Sequence, residues 1–263
     1  MSGAGWDPAR GYAMPAGMAE PYRRPPHRYR DAEDLLIPFT ASPDTVAPLL
    51  PPLVEPLDDP VPCWFKARWA PYSPHGAYHE AYIATGVRFA GAAYRFVTVI
   101  VTDQEAPLVA GREIWGYPKK LAAIHCSWTG RASPGDQFTA RIERPAGTVL
   151  AQAAMMLDRQ GDPAEMAGHP ALSLKLIPAA DGGPPDVAQL IRLEGAARLA
   201  QGADGSAFLY AGRAALDFPT ITDIDPWHRF RPLSVGTAFF MRADYTHDLG
   251  QVVHDYRAAP AAR

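Results

Sequence analysis

The chain predicts an α+β protein that is mainly antiparallel β, one sheet curled into a closed, barrel-like form with few short helices. Proline occupies 28 of 263 positions, about twice the usual share of roughly 5%. Because proline is excluded from helix interiors and central strands, the chain must be cut into many short elements. Runs dense in aromatic and β-branched residues recur along it, and clusters of Gly, Pro, Asp and Ser part them at short intervals. Long helices and parallel βαβ repeats are therefore not expected.

Residues 1–30 are rich in Gly, Pro and Arg and end in the basic run Tyr22-Arg23-Arg24-Pro25-Pro26-His27-Arg28-Tyr29-Arg30. They predict a flexible arm, followed by one domain over 31–263. Ser42 suits a helix cap, Pro43 a first turn and Pro51-Pro52 a stop, so a short helix is expected over 42–50. Strands are expected over 64–69, 80–89 and 94–102, the last (Tyr94-Arg95-Phe96-Val97-Thr98-Val99-Ile100-Val101-Thr102) being the clearest. Strands over 121–128, 137–144 and 148–157 follow, separated by Ser133-Pro134-Gly135-Asp136 and Pro145-Ala146-Gly147. The remaining ones are expected over 172–177, 188–199, 207–218, 239–245 and 251–256, with Gly-rich loops at 181–185 and 202–205.

A net charge of −3 gives no field to hold phosphate backbones, so nucleic acid is not an expected partner. No run approaches the roughly 18 apolar residues of a membrane helix, and no membrane association is expected. The first 30 residues hold no apolar signal core. The two cysteines, Cys63 and Cys126, lie in no metal or redox spacing, which fits a reducing cytoplasm. Nucleotide-binding glycine motifs and the serine-hydrolase elbow are absent. His75 and His79 precede Glu80, but they do not make the His-Glu-x-x-His pattern of a zinc site, and Pro74 with Gly76 argues against a helix there. Only a shared strand face could make them a metal pair. His125, His228, His247 and His254 are scattered and expected to be structural.

The basic residues carry the chemical signal. Of 25, only Lys66, Lys119, Lys120 and Lys175 are lysines, and two of these are adjacent. Lysine can lose its proton and attack a carbonyl, which arginine cannot do. Pro118 pushes Tyr117 toward extended geometry and Leu121-Ala122-Ala123-Ile124 continues as apolar chain. In a strand, Lys119 and Lys120 would point to opposite faces, so only one can enter an interior pocket. There desolvation, more than the neighbouring ammonium, would favour the free amine.

The string Gly111-Arg112-Glu113-Ile114-Trp115-Gly116-Tyr117-Pro118-Lys119-Lys120-Leu121 resembles the signature of the acetoacetate decarboxylase family. Gly76-Ala77-Tyr78-His79-Glu80 matches the family's Tyr-x-Glu segment, Leu49-Leu50-Pro51 the end of its early helix, and Val253-His254-Asp255-Tyr256 its closing strand. The resemblance implies that Lys119 is the Schiff-base lysine, Lys120 its pKa-modulating neighbour and Glu80 the pocket carboxylate. Arg30 is the nearest match to the family's N-terminal pocket arginine, with Arg28 as its rival. Arg112 and Glu113 are expected to form an ion pair beside the motif. The implied reaction is decarboxylation of a small 3-oxo acid such as acetoacetate through an iminium and an enamine, with no metal or organic cofactor. The same iminium also permits a pyruvate-dependent aldolase-dehydratase reaction with an aldehyde co-substrate, known in parts of the superfamily. Trp115 and Tyr245 favour that alternative, as a ring for an aldehyde's apolar tail and a phenol for proton transfer. A homo-oligomer is implied as well. The non-enzymatic alternative is a small-molecule-binding barrel in which Lys119 is dispensable.

Overall fold

The computed structural model describes residues 12–14, 20–128, 131–166, 168–202 and 205–258. The first half of the chain supplies β1 (His27–Ala41), β2 (Glu55–Pro56), β3 (Val61–Ala70), β4 (Tyr78–Phe89), β5 (Ala92–Thr102), β6 (Lys119–Leu121) and β7 (Ala123–Cys126). Next come β8 (Gln137–Glu143), β9 (Val149–Met156), β10 (Arg159–Gln160), β11 (Ala171–Ile177) and β12 (Val187–Leu193). The chain closes with β13 (Gly195–Leu199), β14 (Leu209–Gly212), β15 (Ala214–Asp217), β16 (Ser234–Val235), β17 (Ala238–His247) and β18 (Gln251–Asp255). Among the described residues, helix is confined to α1 (Pro43–Val46), α2 (Glu105–Ala110) and single turns. No helix among the described residues is long and apolar enough to cross a membrane.

A 14-stranded sheet runs in the order β10-β14-β17-β1-β3-β4-β5-β11-β12-β18, and a 4-stranded sheet in the order β15-β9-β8-β7. The large sheet is curled, as expected, and its hydrogen-bonded path is open. Chain rather than a ladder links β12 to β13 on the β17 edge. The expected strand over 188–199 breaks at Glu194, where β12, paired with β11, passes directly into β13, paired with β17. The expected strand over 207–218 likewise divides, β14 joining the large sheet and β15 the small one. Gly212 lies at that crossing, where a Cβ would come within 1.8 Å of the Met156 carbonyl oxygen.

The two-residue period gives each central strand two characters. Leu35, Ile37 and Phe39 of β1, Cys63, Phe65 and Ala67 of β3, and Ala81 and Ile83 of β4 face the small sheet. They pack there on Phe138, Ile142, Leu150 and Met155, and each large side chain contributes about 1.5–3 kcal/mol of apolar burial. The opposite face carries Asp34, Lys66, Arg68, Glu80 and Tyr82, and the curl closes over it.

Two elements depart from expectation. β1 starts at His27, so residues 27–30 belong to the sheet rather than to an arm, and its run 31–41 is a central strand despite Asp31, Glu33, Asp34 and Pro38. Its acids find cations across the ladder, Glu33 with Arg242 and Asp34 with Lys66 and Arg68. Pro38 sits between the stretches where β1 pairs β17 and β16. The second departure is α2, which forms despite Pro107, placed in its first turn where backbone N–H groups have no helical partner anyway. With it the chain makes one short right-of-way between parallel strands β5 and β6, the kind of unit the proline content argued against.

Candidate active site

That crossover positions Lys119. α2 runs into a widened turn, Gly111–Trp115, which Gly116 ends with φ +76, a left-handed conformation that suits glycine. A Cβ on Gly116 would meet the Lys175 backbone at 2.3 Å, so glycine also permits the close packing on β11. A Cβ on Gly111 would sit 2.7 Å from Cδ and Cε of Lys119. The two glycines of the lysine string thus make room for the lysine and for the turn that aims it. Arg112 donates to the Lys119 carbonyl at 3.3 Å, while Glu113 accepts from the Tyr22 hydroxyl, so the expected Arg112–Glu113 ion pair is replaced by two separate ties.

Lys119 and Glu80 meet. Both are buried, at 6% exposure each, and Nζ lies 2.5 Å from Glu80 Oε2. The ammonium also lies 5.7 Å from the Tyr78 ring centre. Burial opposes charge on Glu80, but Lys119 and Arg68 outweigh it and its pKa is lowered. The pair lines a cavity of about 530 Å³ with Trp115 and Tyr245 on its walls. The Trp115 indole N–H donates to the Asp248 carbonyl at 2.9 Å, which leaves the ring to form wall. Tyr245 donates its hydroxyl proton to Asp34. With burial and Asp34 both against ionisation, its pKa rises well above the usual value and the phenol keeps its proton there.

Lys120 and Arg30 lie elsewhere. β-strand alternation turns Lys120 out of the cavity, to Asp225 at 2.8 Å and the Ile224 carbonyl. Arg30 is exposed and pairs with Asp244 at 2.5 Å; Arg28 is exposed too. His79 and Glu80 alternate on β4, so His79 turns away to Asp103 at 2.8 Å and stacks on Trp69, whereas His75 lines the cavity. The two histidines therefore share no site.

In place of Arg30, the cavity holds cations that the motif did not reveal. Asp34 takes Lys66 at 2.6 Å and Arg68 at 2.7 and 3.2 Å, and both cations lie over the Tyr245 ring, at 4.9 and 4.2 Å from its centre. Burial opposes the Asp34 charge, yet Arg68 and Lys66 hold its carboxyl well below the usual range. Burial and the Arg68 charge bring Lys66 down to about 8. One carboxylate faces two cations here, so the cluster keeps a net positive charge beside Lys119. Their signal was present in the sequence, since Lys66 and Arg68 alternate with Phe65 and Ala67 in a strand otherwise apolar on that side. His247, expected to be structural, also lines the cavity; burial first, then Arg68, lowers it to about 3, while burial, His27 and Lys119 do the same to His75. Both imidazoles are neutral near pH 7.

A family model described as acetoacetate decarboxylase matches residues 12–257. The chain is 29% identical over 248 residues to acetoacetate decarboxylase 3 of Mesorhizobium japonicum, covering 94% of this chain and 92% of the relative. The crystal structure of acetoacetate decarboxylase from Legionella pneumophila superposes with TM-score 0.80 at 27% identity, over 94% of this chain and 95% of that one. The same fold is seen in the enduracididine biosynthesis enzyme MppR, complexed with the condensation product of pyruvate and imidazole 4-carboxaldehyde. There the TM-score is 0.76 at 22% identity, over 94% and 97% of the two chains.

Proposed function

The chain belongs to the acetoacetate decarboxylase family, and from that premise we propose that it is a lysine Schiff-base lyase of small oxo acids, first of all a 3-oxo acid decarboxylase. The observation that carries this reading is the buried amine of Lys119, held 2.5 Å from Glu80 in a cavity whose further cations suit an anionic substrate. Glu80, ionised, takes a proton from the Lys119 ammonium. The free amine adds to the ketone carbon, and Glu80 returns the proton to the carbinolamine hydroxyl, which leaves as water. The iminium then accepts the electron pair of the breaking C–C bond, CO2 departs, and an enamine remains. Protonation at carbon and hydrolysis release the ketone and restore Lys119. Every electron moves through the chain's own lysine, so the scheme calls on no cofactor.

One observation favours the second reading, a pyruvate-dependent aldolase-dehydratase. Lys66 and Arg68 stand beside Lys119, where they would stabilise a substrate carboxylate before reaction, and charge held in that way opposes its loss as CO2. The likeness of fold to an enzyme complexed with a pyruvate–aldehyde condensation product points the same way. Against it, the Tyr245 phenol is committed to Asp34 and does not offer its proton to a departing hydroxyl.

The test is the intact mass of the protein after borohydride reduction, with acetoacetate and pyruvate in separate tubes and Lys119→Ala as control. Hydride adds to the iminium carbon and fixes the bound carbonyl compound. An acetone-sized adduct with acetoacetate supports the decarboxylase. A pyruvate adduct without one moves the assignment to the aldolase-dehydratase, and no Lys119-dependent adduct leaves only a binding protein.

A further inference from the structure

The cavity at Lys119 has two unlike sides. On β3 and β4, Arg68 lies opposite Glu80; two residues along one way come Lys66 and Tyr82, and two along the other come Ala70 and Tyr78. Lys119 Nζ, held at Glu80, stands between these sides. The first carries Lys66 and Arg68 on Asp34. The second is aromatic.

Six rings on that second side follow one another in a closed circuit. Centre to centre, Trp115 lies 5.1 Å from His27, His27 4.8 Å from His75, and His75 6.4 Å from Tyr78. Tyr78 lies 6.5 Å from Tyr29, Tyr29 5.2 Å from His247, and His247 5.9 Å from Trp115 again. All but His27 line the cavity, and the Lys119 ammonium lies 5.7 Å from the Tyr78 ring centre. The circuit is thus a collar beside the amine, assembled from β1, β4, β17 and the turns before β4 and β6. It is tied from outside: His27 Nε2 donates to the Arg23 carbonyl at 2.6 Å, and the Trp115 indole N–H to the Asp248 carbonyl at 2.9 Å. His75 Nδ1 is buried without a hydrogen-bond partner among the described residues, which plain core packing does not explain. Because His75 and His247 are neutral near pH 7, the collar offers ring faces and edges but no charge.

A 3-oxo acid bound at Lys119 has two arms on its ketone carbon. The arm ending in the carboxylate is drawn to Arg68 and Lys66, so the other arm is left to the collar. In acetoacetate that arm is a methyl group, too small to meet more than a fraction of the collar. An aromatic ring would meet several of its members in the edge-to-face arrangement that His27 already makes with Trp115 and His75, at 88° and 74°. The volume allows it, since about 530 Å³ falls in the range that houses drug-sized ligands, roughly 300–1,000 Å³.

We infer that the substrate is an oxo acid with an aromatic ring on the far arm of its ketone, seated in the collar while the carboxylate faces Arg68 and Lys66. This rests on the lyase reading, which supplies the imine at Lys119.

Three methyl ketones test it: 4-phenyl-2-butanone, its saturated counterpart 4-cyclohexyl-2-butanone, and acetone, which has no ring. Each can form an imine with Lys119, and borohydride reduction with intact-mass readout gives the half-saturating concentration. The two ring ketones share one carbon skeleton, and the cyclohexyl ring is the more hydrophobic, so apolar burial alone does not favour phenyl. The half-saturating concentration of the phenyl ketone is expected to lie about threefold to tenfold below that of the cyclohexyl ketone, the worth of aromatic contacts beyond burial. Trp115→Leu keeps an apolar wall but removes the ring, and should bring the ratio of the two close to one; His247→Leu should lower it. A wild-type ratio of one, a ratio that survives both variants, or trapping of acetone without either ring ketone overturns the inference. Should Trp115→Leu not fold, the wild-type ratio and His247→Leu decide. No Lys119-dependent adduct with any ketone, acetone included, overturns the lyase reading itself, and so the two failures are distinct.

Discussion

Lys119 and Lys120 carry identical side chains one peptide bond apart and end in opposite surroundings. Lys119 points inward, 6% exposed, to a buried carboxylate and an aromatic face. Lys120 points outward with a side chain 37% exposed, and shares Asp225 with Arg144, which lies 3.2 Å from the same carboxylate. Strand alternation alone separates them. The amine that becomes a candidate reagent does so because its carboxylate partner, Glu80, and its neighbours shut out water. The field around it comes from Lys66 and Arg68 on β3, not from the adjacent lysine.

If that contrast is right, variants should rank by environment. Lys119→Arg keeps the charge but removes the nucleophile, and turnover in a steady-state assay should fall by roughly 10⁴-fold or more. Asp34→Ala leaves two buried cations without their carboxylate, which should cost about 3–5 kcal/mol in urea unfolding. Glu80→Gln keeps the shape and removes the proton carrier; kcat should fall by about 10²–10⁴-fold, with borohydride trapping slowed in parallel. Lys120→Ala breaks only a part-exposed pair, so stability should change by about 1 kcal/mol or less and kcat hardly at all. A large kcat loss in Lys120→Ala would break the comparison.

Acid titration sharpens it. His75 and His247 are held neutral to about pH 3 in the fold, whereas in the unfolded chain each takes a proton near pH 6.5. The unfolded state therefore binds more protons between those values, and stability should fall as the pH drops from about 6.5 toward 3. His27, lowered by burial, adds in the same direction. Urea midpoints at pH 7 and pH 5 check this, since Asp34 and Glu80, lowered in the fold, contribute little change above their unfolded pKa of about 4 to 4.5, while Glu33, raised by burial, works in the opposite direction. The double variant His75→Asn with His247→Asn should flatten the difference.

Much of the sheet was legible because its strands carry alternation or dense β-branched runs, as in 94–102. β1 was not, because Asp31, Glu33, Asp34 and Pro38 look like loop chemistry until the partners on β3 and β17 are known. α2 was hidden by Pro107, which is tolerated only for its place in the first turn. In the site, Lys119 and Glu80 could be named from the spacing of their motifs. Arg30 could not be tested that way, since its neighbour in space is Asp244, more than two hundred residues along the chain.

By itself, the sequence determined the β-rich class, the lysine string and the opposite directions of its two lysines, since proline, side-chain period and glycine placement act locally. The tertiary structure decided which lysine enters the cavity, which cations stand beside it and how the curl closes through Glu194. Those depend on register and on contacts between distant strands, where one residue's slip would turn Lys66, Arg68 and Glu80 to the apolar side.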